Sequence, residues 1–271
     1  MLRLNGFVAA ATITLSACGI SQQQELEMGA QYATEINRQL PLVRDASANS
    51  YINQLGDQIA RSGRRGINYT FYIVNSDMVN AFAVPGGYIY VNRGLIERTR
   101  TMSELAGVLA HEIGHVEHRH GAEQMERMQR ASLGVNLAYI LLGRQPGGLE
   151  STAVNAAGTV YFARHSREAE NEADASAVPM LLAARINPNG MVTMFQLLIE
   201  QQRRSPSALE QWFSTHPTTH DRIEHTQRLI AQIPSSQMRN LTTTTNSYNS
   251  FKARLRSLPP APRTSAARSA R

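Results

Sequence analysis

One cysteine, Cys18, is all that the chain contains. No disulfide can close within it and no cysteine-based zinc site can form. Long apolar runs are missing too: residues 7–17 and 133–142 are each too short to span a bilayer as a helix. Acidic residues are absent from 235–271, which hold seven Lys and Arg. Setting those seven and Arg3 aside takes the formal charge from +6 to −2 for residues 18–234. The basicity belongs to the end of the chain, which argues against nucleic acid as a partner of the body. That end, with "NLTTTTNSYNS" and "RSLPPAPRTSAARSAR", is poor in large apolar residues. It reads as a basic, disordered C-terminal tail, or as an arm for anionic lipid or another polyanion.

What is present begins with a leader. Residues 1–6 carry one Arg and no acid, and 7–17 form an apolar core of signal-peptide length. The segment ends in Leu15-Ser16-Ala17-Cys18, which resembles the lipobox of bacterial lipoproteins. The resemblance implies a signal peptide at 1–17, lipid attachment at Cys18, and a membrane-attached protein without a spanning helix. Gly19, in place of Asp, implies the outer membrane, on the periplasmic side. Residues 18–234 then make one domain of ordinary size, followed by the tail at 235–271.

Apolar spacing predicts helices at 21–40 and 45–61, and "INYTFYIVN" a strand. "NAFAVPGGYIYVNRGLI" breaks at Pro85-Gly86-Gly87 and resumes as an extended run at Tyr88, Ile89, Tyr90 and Val91. This predicts a small antiparallel sheet with residues 88–91 near its edge. Thr101-Met102-Ser103-Glu104 opens a helix that runs past Arg119. The pattern stays helical from 123 to 142, then again near 150–163, 166–185, 189–203 and 218–232. The fold class is α+β, mostly helical.

"LAHEIGHVEHRHG" contains His111-Glu112-Ile113-Gly114-His115, an HExxH. One helical turn apart, both imidazoles reach one ion, while Glu112 lies about 100° round the helix, beside the ion rather than on it. His118 falls about 10 Å along the axis from His111, too far to share that ion, so His118 and His120 read as surface or packing residues. The HExxHxxGxxH pattern fails, because position 118 is His and 121 is Gly. A carboxylate from another helix remains as third ligand, and "SREAENEADASA" is the best supplier. There Glu168 and Glu172 share one face, and Glu170 and Asp174 another. In the second pair one carboxylate can bind metal while the other steadies a ligand His through its outer nitrogen.

These segments resemble the zinc metallopeptidase family of HtpX, the CAAX prenyl proteases and the periplasmic proteases BepA and LoiP. Four stretches between residues 80 and 222 carry the likeness: "NAFAVPGGYIYVNRGLI", "AHEIGHVEHRH", "SREAENEAD" and "STHPTTHDRI". Without spanning helices, the chain is most similar to the lipid-anchored or soluble members, LoiP above all. The resemblance implies a gluzincin-type domain whose sheet is packed by the HExxH helix. It implies one Zn²⁺ per chain on His111, His115 and Glu170, Asp174 behind a ligand, and Glu112 as base. From the last stretch it gives His216 and Arg222. His216 either donates to the oxyanion or swings in as a fourth ligand that switches the enzyme off, with Arg222 in that neighbourhood.

The chemistry so implied is hydrolysis of peptide bonds in an extended substrate paired with residues 88–91. Misfolded or unassembled envelope proteins are the expected substrates, with envelope assembly machinery as further partners. The competing reading is a protease-fold chaperone that binds without turnover. Glu112 speaks against it, since a non-catalytic metal site needs no base there.

Overall fold

The computed structural model of the protein describes residues 19–127, 165–204, 206–217 and 220–261. Ser21 opens helix α1 (Gln22–Gln39) with a reciprocal cap, its hydroxyl accepting from Gln24 N–H while the Gln24 side chain accepts from Ser21 N–H. Asp45 caps α2 (Ala46–Ala60), whose stripe Ala48, Ile52, Leu55 and Ile59 is buried.

Three strands follow: β1 (Thr70–Val74), β2 (Ala81–Val84) and β3 (Tyr88–Asn92). Their order is β1-β3-β2, with β1 parallel and β2 antiparallel to β3. The sheet is therefore mixed rather than wholly antiparallel, and β3 is its central strand rather than an edge. Ile89, Tyr90 and Val91 are all fully buried, as a strand covered on both faces requires. The chain passes β3's place to lay down β2, then turns back through Gly86 and Gly87, whose φ values of 85° and 94° suit glycine. On one face Tyr72, Tyr90 and Phe82 stack in a row, with successive ring centroids 4.9 Å apart, and Tyr32 and Ile36 of α1 pack over that cluster. The other face, with Phe71, Ile73, Ile89 and Val91, joins the main core.

Helix α3 (Arg93–Arg98) leads to α4 (Met102–Glu117), capped by Thr101 and buried at every residue from 102 to 116. Around it lie α5 (Arg167–Ala183), α6 (Asn189–Arg204), α2 and the sheet, with α7 (Pro206–Thr215) and α8 (His220–Ala231) beyond. Contrary to expectation, α4 does not run past Arg119. It ends at His118, Arg119 takes a left-handed φ of 60°, and helical structure resumes at 120–127.

Nor is the chain after 234 a solvated tail throughout. Residues 246–257 form α9 (Asn246–Ser257), which buries Tyr248, Phe251 and Leu255 in the main core. Phe251 stacks on Tyr51 at 4.4 Å, the hydroxyls of Tyr248 and Thr99 lie 2.7 Å apart, and Lys252 donates to the carbonyls of Glu97 and Thr99. Tyr248, Phe251 and Leu255 are a helical stripe that average composition conceals. Residues 262–271, the expected leader and Cys18, and the helices expected within 128–164 lie outside the described residues. No helix among the described residues is long and apolar enough to cross a membrane.

Candidate metal centre

Gly114 decides how near α5 can come. A Cβ there would lie 2.8 Å from the carbonyl oxygen of Ala173 and 2.9 Å from its Cα, so only glycine permits this crossing. Ser166 starts α5 by accepting from Ala169 N–H, and Glu170 and Asp174, one turn apart, then face α4 from buried positions. Glu168 and Glu172 fall on the exposed side. His216 arrives just after α7, its N–H donating to the Trp212 carbonyl at 2.7 Å and its ring beside the buried Trp212 indole.

Four donors converge. Nε2 of His111 and of His115 are 3.0 Å apart. Glu170 lies 3.5 Å from the first and 3.4 Å from the second, and His216 Nδ1 is 3.4 Å from His111 Nε2 and 3.1 Å from Glu170. A tetrahedral ion with bonds of 2.0–2.1 Å separates its ligands by about 3.3 Å, which is the spacing found. Glu112 sits beside them, fully buried, and both its carboxylate oxygens are without a hydrogen-bond partner. A carboxylate so placed is costly unless a cation or a bound water faces it. The residues thus fit a divalent cation.

The surroundings orient the donors. His111 Nδ1–H donates to Asp174 at 2.8 Å, turning the Nε2 lone pair inward. Arg222 grips Asp174 through two bonds of 2.8 Å, bonds Glu170 and the Pro217 carbonyl, and lies over the Phe195 ring. It stands behind the carboxylates and the His216-Pro217 turn. Burial raises Asp174 and Glu170, but Arg222 and the neighbouring histidines outweigh it and hold both carboxyls below their usual range. Burial lowers His111, and Asp174 and Glu170 reverse this to about 9. His115 is pushed down by burial and by His165 and His111. Burial raises Glu112.

Two further residues belong here that sequence spacing passes over. His120, expected as a surface or packing residue, is buried, with Nδ1 2.8 Å from His115 Nδ1 and Nε2 3.0 Å from Glu172. Since His115 turns Nε2 to the cluster, its Nδ1–H donates to His120, which in turn donates from Nε2 to Glu172. The left-handed Arg119 folds His120 back onto α4, which a continuous helix cannot do. His165 stacks on His115 with centroids 4.1 Å apart, and burial lowers its pKa to about 3. Its signal was absent, because nothing in the local pattern ties residue 165 to the HExxH. The expected substrate strand is also corrected: β3 is paired on both sides, so Tyr88, Ile89, Tyr90 and Val91 offer no free edge. β2 is, with β1, one of the two edges, and Ala83, Val84 and Pro85 line a recess with His115 and His165.

An HExxH helix crossed by a helix bearing the third acidic donor, beside a small sheet, defines a metallopeptidase-type domain. The chain belongs to peptidase family M48, a metal-dependent family whose model matches residues 44–230. It is 33% identical over 230 residues to the beta-barrel assembly-enhancing protease of Yersinia pestis, covering 81% of this chain and 46% of that one. With metalloprotease LoiP of Escherichia coli K12 it shares 27% over 233 residues, 82% of this chain and 86% of the relative. With mitochondrial metalloendopeptidase OMA1 of Schizosaccharomyces pombe it shares 29% over 184 residues, 68% and 52% of the two chains. The chain spans less than half the length of the beta-barrel assembly-enhancing proteases it matches.

Proposed function

We propose that the protein is a zinc-dependent endopeptidase of the bacterial cell envelope, held closed at rest by His216. One observation carries this: four buried donors at tetrahedral spacing beside a buried Glu112 whose oxygens have no hydrogen-bond partner. Three histidines and a carboxylate, with no cysteine, suit zinc.

His111, His115 and Glu170 would hold the ion, which would supply a lowered pKa of water, towards about 7, and polarisation of a carbonyl. Glu112, its pKa raised by burial, takes a proton from the attacking water and returns it to the leaving amine. Asp174 fixes the His111 tautomer, and Arg222 offsets the charge of the two carboxylates. His216 completes the four-donor group through Nδ1, with Nε2 3.6 Å from Glu112, so its ring would have to withdraw before water or substrate enters. Once withdrawn, it is placed to donate to the oxyanion. An extended substrate would pair with the edge of β2, through backbone bonds that tolerate many sequences.

That tolerance suits misfolded or unassembled envelope proteins, and the name of the Yersinia relative suggests assembly machinery among the partners. A lipid on Cys18 after removal of 1–17 would anchor the protein at the outer membrane, facing the periplasm. The closed four-donor set also favours a second reading, a chaperone on the protease fold without turnover. The test is incubation of the zinc-loaded chain, with residues 1–18 removed, with casein, followed by mass spectrometry. The expected result is cleavage by the parent, faster cleavage by His216→Ala, and none by Glu112→Gln. Equal cleavage by parent and Glu112→Gln would overturn the mechanism. Casein binding without cleavage by parent and His216→Ala would favour the chaperone.

A further inference from the structure

Just outside the central cluster, the end of α4 and the exposed face of α5 bring three more donors together. His120 Nε2 lies 3.0 Å from Glu172 Oε2, and His118 Nδ1 lies 3.9 Å from the same oxygen. One ligand atom from each of the three lies within 4.8 Å of the others. The Ser176 hydroxyl holds His118 Nε2 at 2.6 Å, which keeps Nδ1 turned towards Glu172. The two imidazoles, on either side of the left-handed Arg119, lie nearly parallel with centroids 5.5 Å apart. His120 is buried, whereas His118 and Glu172 are 37% and 57% exposed at the side chain, so solvent reaches the group. A cleft of about 460 Å³, lined by Ser62, Glu117, His118, Glu172 and Ser176, adjoins it and leaves room for water ligands.

We propose that His118, His120 and Glu172 form a second cation site, for an ion of the zinc class, one hydrogen bond away from His115. Two imidazoles and one carboxylate select zinc, nickel, cobalt or copper over magnesium and calcium, which prefer oxygen alone. Binding changes the tautomer of His120 and so breaks the relay. A neutral His120 that offers its Nε2 lone pair to the ion carries its proton on Nδ1, so it no longer accepts from His115 Nδ1–H, 2.8 Å away. With one partly exposed His and an exposed Glu, this site fills only after the buried central one. An ion on Nε2 thus takes away the acceptor that supports His115. On the peptidase reading of the central cluster, excess zinc therefore slows turnover.

Equilibrium dialysis of the full chain against rising zinc, read by elemental analysis, tests the site without reference to activity. The parent should reach two ions per chain, matching the two donor groups. His118→Ala and Glu172→Gln should each stop at one, with thermal melting showing that they remain folded. His111→Ala should keep the weaker ion and lose the tighter. A parent that saturates at one ion, or a His118→Ala chain that still binds two, would overturn the proposal. Casein cleavage at stoichiometric and excess zinc then tests the coupling. A ratio that falls severalfold in the parent but not in His118→Ala supports it, and equal falls in both overturn it. Absence of all cleavage would count against the peptidase reading and would leave the dialysis result to decide the site.

Discussion

His111 and His115 lie one turn apart inside α4, whereas His118 and His120 straddle the residue at which α4 ends. The inner pair is buried, capped from behind by Asp174 and His120, and set by helical periodicity. The outer pair is partly exposed and owes its convergence to a single left-handed residue, Arg119. Pairs of one residue type, three residues apart in the chain, thus differ in rigidity because one is held by a helix and the other by a helix end. The inner pair should therefore be broken only by changes to the buried network, and the outer by changes at the surface.

The largest effect is expected at Arg222, which lies between two buried carboxylates. Arg222→Met removes the guanidinium that bonds both Glu170 and Asp174, leaving His111 to face both buried carboxylates, and should cost about 3–5 kcal/mol of stability. Urea unfolding of the metal-free chain measures this. A loss below about 1 kcal/mol would mean that the carboxylates are solvated and the inner site is not the dry cluster described. The same experiment on Glu172→Gln, at the outer pair, should change little, as for most exposed positions.

Gly114→Ala should come next. Its new methyl meets backbone atoms of Ala173 rather than a flexible side-chain end, so the helices must part. Overpacking of this kind costs about 1–3 kcal/mol. Because Glu170 rides on α5, zinc affinity at the inner site should fall with stability, read by competition with a chelating dye. Unchanged affinity would show that the crossing distance does not set the ligand geometry.

His120→Ala separates the two pairs more finely. Removing the acceptor of His115 N–H should lower central zinc affinity about 10–100-fold, as loss of a group behind a ligand typically does. His118→Ala should leave that affinity within about twofold. Equal losses from both variants would place the two histidines in one cooperative unit and erase the distinction.

How much of this was readable in advance follows the same division. His111, His115, Glu170 and Asp174 sit on unbroken helices, so spacing of four residues was enough to align each pair, and Gly114 hides inside the motif. The contact of His120 with His115 is not legible in the sequence, because a left-handed turn at an Arg has no dependable sequence mark and a continuing helix would carry His120 away from the site. β3 was misread as an edge because the order of three short strands depends on where the 75–80 connection crosses. The uninterrupted run Ile89-Tyr90-Val91, buried throughout in the fold, is the sequence mark of a central strand. In α9 the apolar stripe was present at 248, 251 and 255, but basic residues and the Thr-rich stretch before it masked the pattern.

The smallest expected effect concerns what holds Arg119, and so the outer pair. Glu25 of α1, itself buried, accepts two 2.8 Å bonds from Arg65 and one of 2.9 Å from Arg119. Burial alone raises its carboxyl, but the two guanidinium groups outweigh that and hold it below its ordinary value of 4.5. A carboxyl whose folded pKa is depressed contributes stability that is complete above the unfolded value and fades as pH falls through the folded one. Below pH 4.5, then, the parent should lose melting temperature more steeply than Glu25→Gln, whereas above it the two curves should run parallel with the parent higher. Zinc at the outer site should follow Glu25, because a released Arg119 no longer turns His118 and His120 together. Parallel curves down to the acid limit would mean that Arg119 keeps its left-handed turn without Glu25, and that the helix end alone positions the outer pair.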